Sequence, residues 1–239
     1  MSAWKMTGLT DAGRVREHNE DAIAWDTEQG WAVLADGMGG HNAGEVASAI
    51  AVEVISEQFN TTGTAEPAAI LQAAVEQANS AIYQQATSQP RLHTMGTTVV
   101  AIRLDGQTLH CAHVGDSRLY RLRGGELQQL TRDHSLVQEL VDEGMINAEQ
   151  ARSSKQKNVI TRALGLEMGI EVEMSADTMC SEDCYLLCSD GLSDRLRDEE
   201  IAALLAGEAL PEVARSLIDA ANECGGEDNI SVIVFQVWE

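Results

Sequence analysis

Apolar residues follow two rhythms along this chain. In the first they crowd into short runs, at 31–35 (Trp-Ala-Val-Leu-Ala), 185–189 (Tyr-Leu-Leu-Cys-Ser) and 230–237. Runs of this length beside Asp-Gly or Asp-Asn predict buried strands bounded by turns. Segments 3–9, 20–26, 97–103, 108–114, 118–123 and 126–130 are shorter and strand-like. Among them lie the joins Asp105-Gly106, Gly115-Asp116-Ser117 and Gly124-Gly125. Such short joins predict antiparallel hairpins. In the second rhythm apolar positions recur at helical spacing. Val46, Ile50 and Val54, with Ala47, Ala51 and Ile55 beside them, predict an amphipathic helix. After the breaks at Gly63 and Pro67, residues Leu71, Ala74, Val75, Ala78 and Ile82 predict a second helix over 68–87. Leu136, Val137, Leu140 and Val141 predict a short helix ended by Gly144, and 198–206 and 211–224 predict two more. Helices grouped in pairs around antiparallel sheets imply an α+β fold, a four-layer α-β-β-α sandwich with two antiparallel sheets flanked by helix pairs. No repeat or low-complexity linker divides residues 1–239, so one domain is expected.

Charge changes this picture more than composition does. The 44% hydrophobic fraction is that of an ordinary globular protein. Sixteen Lys and Arg stand against thirty-eight Asp and Glu, a net −22. That balance argues against nucleic acid and against anionic lipid as partners. It has two readings: solubility alone, or carboxylate clusters neutralised by cations. The basic residues Arg152, Lys155 and Lys157 form one local cluster, in a stretch expected to be an exposed loop. Five cysteines (Cys111, Cys180, Cys184, Cys188, Cys224) are odd in number and include no C-x-x-C pair. They are expected to be free thiols in a reducing compartment rather than zinc ligands. No apolar leader or run of about 18 apolar residues is visible, so a cytoplasmic location is expected.

The candidate chemistry lies in the acids. Two apolar runs end in Asp-Gly, at Asp36-Gly37 and Asp190-Gly191. Asp-Gly is common turn chemistry. Two instances after buried strands also place carboxylates at the mouth of a packed core. Asp21, Asp116 and Asp228 sit in similarly tight contexts. Carboxylates brought together repel, and hard divalent cations such as Mn2+ or Mg2+ relieve that with oxygen ligands. No consecutive calcium loop of the helix-loop-helix type is present.

In order, Arg16-x-x-x-x-Asp21, Asp36-Gly-Met-Gly-Gly-His41, Gly115-Asp-Ser-Arg118, Ser189-Asp-Gly-Leu-Ser-Asp194 and Asp228-Asn229 resemble the motifs of the type 2C metal-dependent Ser/Thr protein phosphatases. The compact bacterial members are the nearest match. Each motif alone is unspecific, but the ordered set spans about residue 8 to residue 235. The resemblance implies hydrolysis of phosphoserine and phosphothreonine in proteins by a hydroxide bridging two Mn2+ or Mg2+ ions roughly 3.5–4 Å apart. Asp36 would bridge the ions. Asp21 and the Gly37 carbonyl would complete one site, and Asp190 and Asp228 the other. Asp116 and Asp194, sharing Asp190, would hold a third, weaker ion. Arg16 would grip the phosphate, its spacing to Asp21 favouring it over Arg14. His41 would be the general acid, since the position directly after Asp-Gly is Met38. The resemblance gives His134 no role. It makes 136–160 a variable flap whose basic cluster would meet acidic phosphopeptides. It also implies a Ser/Thr kinase and that kinase's substrates as partners, with the protein a monomer. Two alternatives remain at this point: a non-catalytic metal-binding interaction module of the same fold, and a two-metal phosphodiesterase.

Overall fold

The structure is a computed structural model that describes residues 3–39, 43–60, 66–207 and 209–238. The chain opens with strands β1 (Trp4–Asp11), β2 (Asp21–Asp26) and β3 (Trp31–Met38), followed by helices α1 (Ala43–Asn60) and α2 (Pro67–Ser88). Five strands come next: β4 (Gly96–Thr97), β5 (Val99–Asp105), β6 (Thr108–Val114), β7 (Arg118–Arg123) and β8 (Glu126–Gln129). Helices α3 (Leu136–Asp142) and α4 (Ala148–Arg152) precede β9 (Glu173–Thr178) and β10 (Cys184–Cys188). The chain closes with α5 (Asp190–Ser193), α6 (Asp198–Leu205), α7 (Leu210–Glu223) and β11 (Ile230–Val237).

Two antiparallel sheets form, one in the order β1-β11-β10-β7-β8 and the other β2-β3-β5-β6-β9, with β4 paired to β3. Three buried clusters make the layers. Val33, Ala35, Val99 and Ala101 on the outer face of the second sheet pack with Ala47, Ile55, Leu71 and Ile82 of α1 and α2. Tyr120, Leu186 and Val234 on the outer face of the first sheet pack with Ile201, Leu205, Leu217 and Ile218 of α6 and α7. Between the sheets lie Leu34, Val100, Ile102, Leu119, Tyr185, Leu187, Ile233 and Phe235. The alternating register explains why the central strands read as continuous apolar runs: each is covered on both faces. The expected four-layer α-β-β-α sandwich is therefore the observed one.

Three local features differ from the expectation. First, the 115–117 join does not make a hairpin. β6 belongs to one sheet and β7 to the other, so the chain crosses the sandwich there. Gly115 takes φ +106, and a Cβ on it would lie 2.6 Å from Thr98 Cγ2, so this turn requires glycine. Second, β9 was not anticipated. Its sequence Glu-Met-Ser-Ala-Asp-Thr lacks alternation because it is an edge strand, paired only with β6. Third, α4 ends at Arg152 within what read as loop, started by a capping box between Asn147 and Gln150. Cys184 and Cys188 face α6 and α7 as buried thiols, while Cys180 is exposed, so these three do not form a metal site.

Phe235 is fully buried and stacks on Tyr185 with ring centroids 4.6 Å apart. Phe235→Ala is expected to lower the unfolding free energy by about 3–5 kcal/mol. Urea denaturation checks this, and a loss below about 1 kcal/mol would contradict a tightly packed middle layer.

Candidate metal centre and phosphate site

The antiparallel order puts several strand ends at one edge of the sandwich, and the acids occupy those ends. Asp21 opens β2 and faces Asp36, near the end of β3, as its register partner. Asp116 lies in the turn where the chain leaves β6. Asp190 begins α5, two residues beyond β10, and Asp194 caps the end of that helix. Asp228 lies two residues before β11, which pairs with β10. Two hollows open here. One, of about 140 Å³, is lined by Arg16, Asn158, Asp190, Asp194 and Asp228 among others. The other, of about 490 Å³, runs from Asp116, Asp190 and Asp194 toward α3 and α4.

Burial and mutual repulsion govern these carboxyls. Burial raises Asp21 to about 6, despite hydrogen bonds from Ser231 and Ser189. Burial is also the main cause for Asp116, pushed up to about 7 with Asp133 and Asp194 adding to the rise. Asp36 stands well above the carboxylate range through burial and through Asp21, Asp190, Asp116 and Asp228. Asp190 does the same through burial and through Asp116, Asp194, Asp228 and Asp21. Asp36 and Asp190 thus each feel several of the other predicted ligand acids.

The backbone around these acids is braced by buried hydroxyls. Ser189 Oγ donates to Asp21 Oδ2 at 2.9 Å and accepts from the Ser231 amide at 3.0 Å. Thr98 Oγ1 accepts from the Asp36 amide and bonds Ser117 Oγ at 2.7 Å, while Thr97 Oγ1 donates to the Asp36 carbonyl. Gly37 lies against helix α1: a Cβ there would fall 2.2 Å from the Gly44 carbonyl oxygen. Gly191 is equally closed in, 1.9 Å from the Asn229 carbonyl oxygen. These contacts explain the two Asp-Gly pairs better than turn propensity does. Glycine lets backbone pass close behind each carboxylate.

Asn229 is a residue that the sequence reading left without a role. It is buried. Its amide group donates to the carbonyls of Ala12 and His18, and its Oδ1 accepts from the Glu20 amide. It thereby ties the 12–20 loop to the start of β11. Its place in the Asp-Asn pair was the available signal. That loop carries Arg16, whose Nη2 donates to Asp228 Oδ2 at 2.7 Å from a side chain that stays half exposed. Arg16 lines the smaller hollow, whereas Arg14 packs by its backbone and Cγ against Gly226. Arg16, not Arg14, therefore faces the acids. His41 lies outside the described residues. The basic cluster is less free than expected: Arg152 Nη2 donates to the Leu196 carbonyl at 2.8 Å, and Lys157 Nζ pairs with Asp194 at 2.5 Å.

His134 also finds a place. It joins His113 and Glu173 in a trio of metal-capable side chains whose ligand atoms lie within 4.8 Å. The hydrogen bonds argue against a metal there. His134 Nδ1 accepts from the Gly115 amide, so Nε2–H donates to Glu173 Oε2 at 3.0 Å. His113 Nε2–H donates to the Arg132 carbonyl, and its ring stacks on His134 at 4.8 Å with 15° between planes. In-plane lone pairs of parallel rings do not meet at one ion. The trio instead braces the turn that carries Asp116.

The aspartates suit hard cations. Asp21 Oδ1 and Asp116 Oδ1 are buried oxygens with no hydrogen-bond partner, and ionised carboxylates can only accept. The donors are all oxygen, the chemistry of Mg2+ and Mn2+ rather than of zinc. Asp116, Asp190, Asp194 and Asp228 line open hollows with room for water, as ions that keep several waters require.

A two-sheet sandwich with oxygen donors and an arginine at one edge defines a metal-dependent phosphoryl-transfer type of protein. Residues 11–230 match the description of protein phosphatase 2C. A serine/threonine protein phosphatase, PstP of Mycobacterium tuberculosis, is 44% identical over 230 residues, covering 95% of this chain and 44% of that protein. The chain thus spans less than half the length of that relative. A serine/threonine phosphatase of Listeria innocua is 41% identical over 235 residues, covering 95% of this chain and 93% of that protein. The crystal structure of the Mycobacterium tuberculosis phosphatase PstP superposes with a TM-score of 0.94 at 42% identity, covering 99% of both chains. A structure of the PstP catalytic domain with two manganese ions superposes at 0.91 with 41% identity, again covering 99% of both. The chain belongs to the protein phosphatase 2C family.

A pH dependence follows from the raised carboxyls. Folded pKa values of about 6 for Asp21 and about 7 for Asp116 lie above the ordinary 3.8. In chelator, their contribution to stability is full below pH ~3.8 and is lost as pH rises through 6 and 7. Metal competes with those protons. Mn2+ is therefore expected to raise the melting temperature more at pH 7.5 than at pH 5. Equal shifts at both pH values in a thermal scan would contradict this electrostatic picture.

Proposed function

We propose that the chain hydrolyses phosphoserine and phosphothreonine in proteins. The observation that carries this reading is Arg16, held by Asp228 beside a hollow that Asp190, Asp194 and Asp228 line. Asp36, Asp21 and the Gly37 carbonyl would hold one cation, and Asp36, Asp190 and Asp228 a second. Asp190, Asp116 and Asp194 would hold an outer one. Mn2+ or Mg2+ bound there supplies Lewis-acid activation of water and neutralises phosphate charge. Only one nitrogen of Arg16 engages Asp228, so the rest of its planar fork is available to phosphate oxygens. Buried walls at Asp21 and Asp36 keep the charges strong by excluding bulk water. His41 is assigned the proton delivered to the departing Ser or Thr oxygen, since imidazole titrates near neutral pH.

The remaining assignments belong to the same reading. Residues 1–239 act as one catalytic domain with 136–160 as its variable flap. The substrates are phosphorylated proteins, a Ser/Thr kinase and its targets among them, and the protein works as a monomer in the cytoplasm. Among the described residues no helix is long and apolar enough to cross a membrane. The net charge of −22 disfavours nucleic acid.

Manganese-dependent release of phosphate from a phosphothreonine peptide tests the proposal, with Asp36→Asn as control. Activity is expected to fall at least about 100-fold in that variant, the scale of losing a group that stabilises transition-state charge. Wild-type release no greater than the control would refute the enzyme reading, and turnover of phosphodiesters alone would favour the phosphodiesterase alternative. Arg16→Lys is expected to keep metal binding but lose about tenfold in kcat/KM, because lysine lacks the bidentate fork. Unchanged kinetics would remove Arg16 from the phosphate site.

A further inference from the structure

The 136–160 segment is anchored at both ends around His134: Thr161 N–H donates to the His134 carbonyl, and Leu136 N–H to that of Val159. From this base the segment sends two cations to one target, the 190–197 stretch. Arg152 Nη2 reaches the Leu196 carbonyl at 2.8 Å, and Lys157 Nζ reaches Asp194 Oδ2 at 2.5 Å. Asp194 belongs to the group that includes Asp116 and Asp190, which line the same hollow. Lys157 lines the larger hollow together with all three of these acids. Its ammonium is therefore the positive charge that the fold brings to Asp194, while the Arg118 guanidinium lies on the Asp116 side of the same hollow. Both side chains of the pair are mostly covered, at 28% and 24% exposure, so water screens the contact only in part.

We propose that Lys157 is a built-in competitor for the outer cation: it occupies Asp194 when that cation is absent, and must leave when the cation binds. Two positive charges cannot share Asp194 Oδ2 at ligand distance without strong repulsion. Outer-cation binding and the seating of the 136–160 segment are thus linked, each weakening the other by the same factor. Arg152 bonds a backbone carbonyl rather than a carboxylate, so its contact persists and the segment shifts at Lys157 first. This rests on the metal assignment above, which the test checks separately.

The test is a Mn2+ titration of the full chain by calorimetry, with bound ion counted by electron paramagnetic resonance. Wild type is expected to bind two ions tightly and one weakly. Lys157→Ala should leave the two tight ions unchanged and tighten the weak one about three- to tenfold, the range of a partly covered ion pair. Lys157→Arg, which keeps the charge, should stay near wild type. Asp194→Asn should abolish the weak ion whether or not Lys157 is present. In wild type, protease cleavage within 136–160 should accelerate as the weak ion fills, and in Lys157→Ala it should be fast throughout. Tight ions retained with an unchanged or weaker outer ion in Lys157→Ala would overturn the competition alone. No tight ion in wild type would overturn the metal assignment and this inference with it.

Discussion

Like charge held out of water at one edge of the sandwich is the constraint on which the rest of this structure depends. Asp36 and Asp190 are pushed far from ordinary carboxylate behaviour by burial and by each other's neighbours. A fold does not hold such a group open for packing reasons, since apolar residues would fill the space more favourably. The surrounding structure compensates locally. Ser189 donates to Asp21, Arg16 to Asp228, and Lys157 to Asp194. Two buried oxygens, on Asp21 and Asp116, remain unsatisfied by protein. In the proposed function, bound cations would complete that compensation.

The sandwich makes this arrangement possible because antiparallel strands alternate their ends. β2 and β3 bring Asp21 and Asp36 side by side, and β10 and β11 bring Asp190 and Asp228 to the same edge. The two sheets meet there through chain crossings. The 12–20 loop carries Arg16 from one sheet to the other, and the 115–117 turn does the same for Asp116. Glycines at 37 and 191 are required by close backbone approach, with gaps to a Cβ of 2.2 and 1.9 Å, and Gly115 by its φ of +106 and the Thr98 side chain 2.6 Å away. The clustered acids, the arginine beside them and the tight glycines are thus one feature seen from three sides.

The polar residues that do not touch the hollows still shape them. Asn229 clamps the Arg16 loop through three hydrogen bonds, and the stacked His113 and His134 brace the Asp116 turn. Arg118 holds Asp133 with both Nε and Nη2, next to the same turn. A phosphoryl-transfer site needs its groups fixed to within fractions of an ångström, and these buried networks provide that stiffness.

The sequence by itself determined the element types, the α+β class, the ordered set of aspartates and the family resemblance. Those are carried by local periodicity and by motifs a few residues long, which a chain shows before it folds. It missed β9, because an edge strand with one neighbour needs no alternation. It also read 115–117 as a hairpin, because a short Gly-containing join looks the same whether the next strand pairs with the last one or crosses to another sheet. Only the tertiary structure placed Arg16 beside Asp228, gave Asn229 and His134 their hydrogen-bond partners, and showed that Arg152 and Lys157 are already engaged. Each of those facts is a meeting of residues apart in the chain, from 19 positions for Gly115 and His134 to 217 for Ala12 and Asn229. Contacts at such separations are set by which sheet a strand joins and how the layers pack, and no local pattern encodes them.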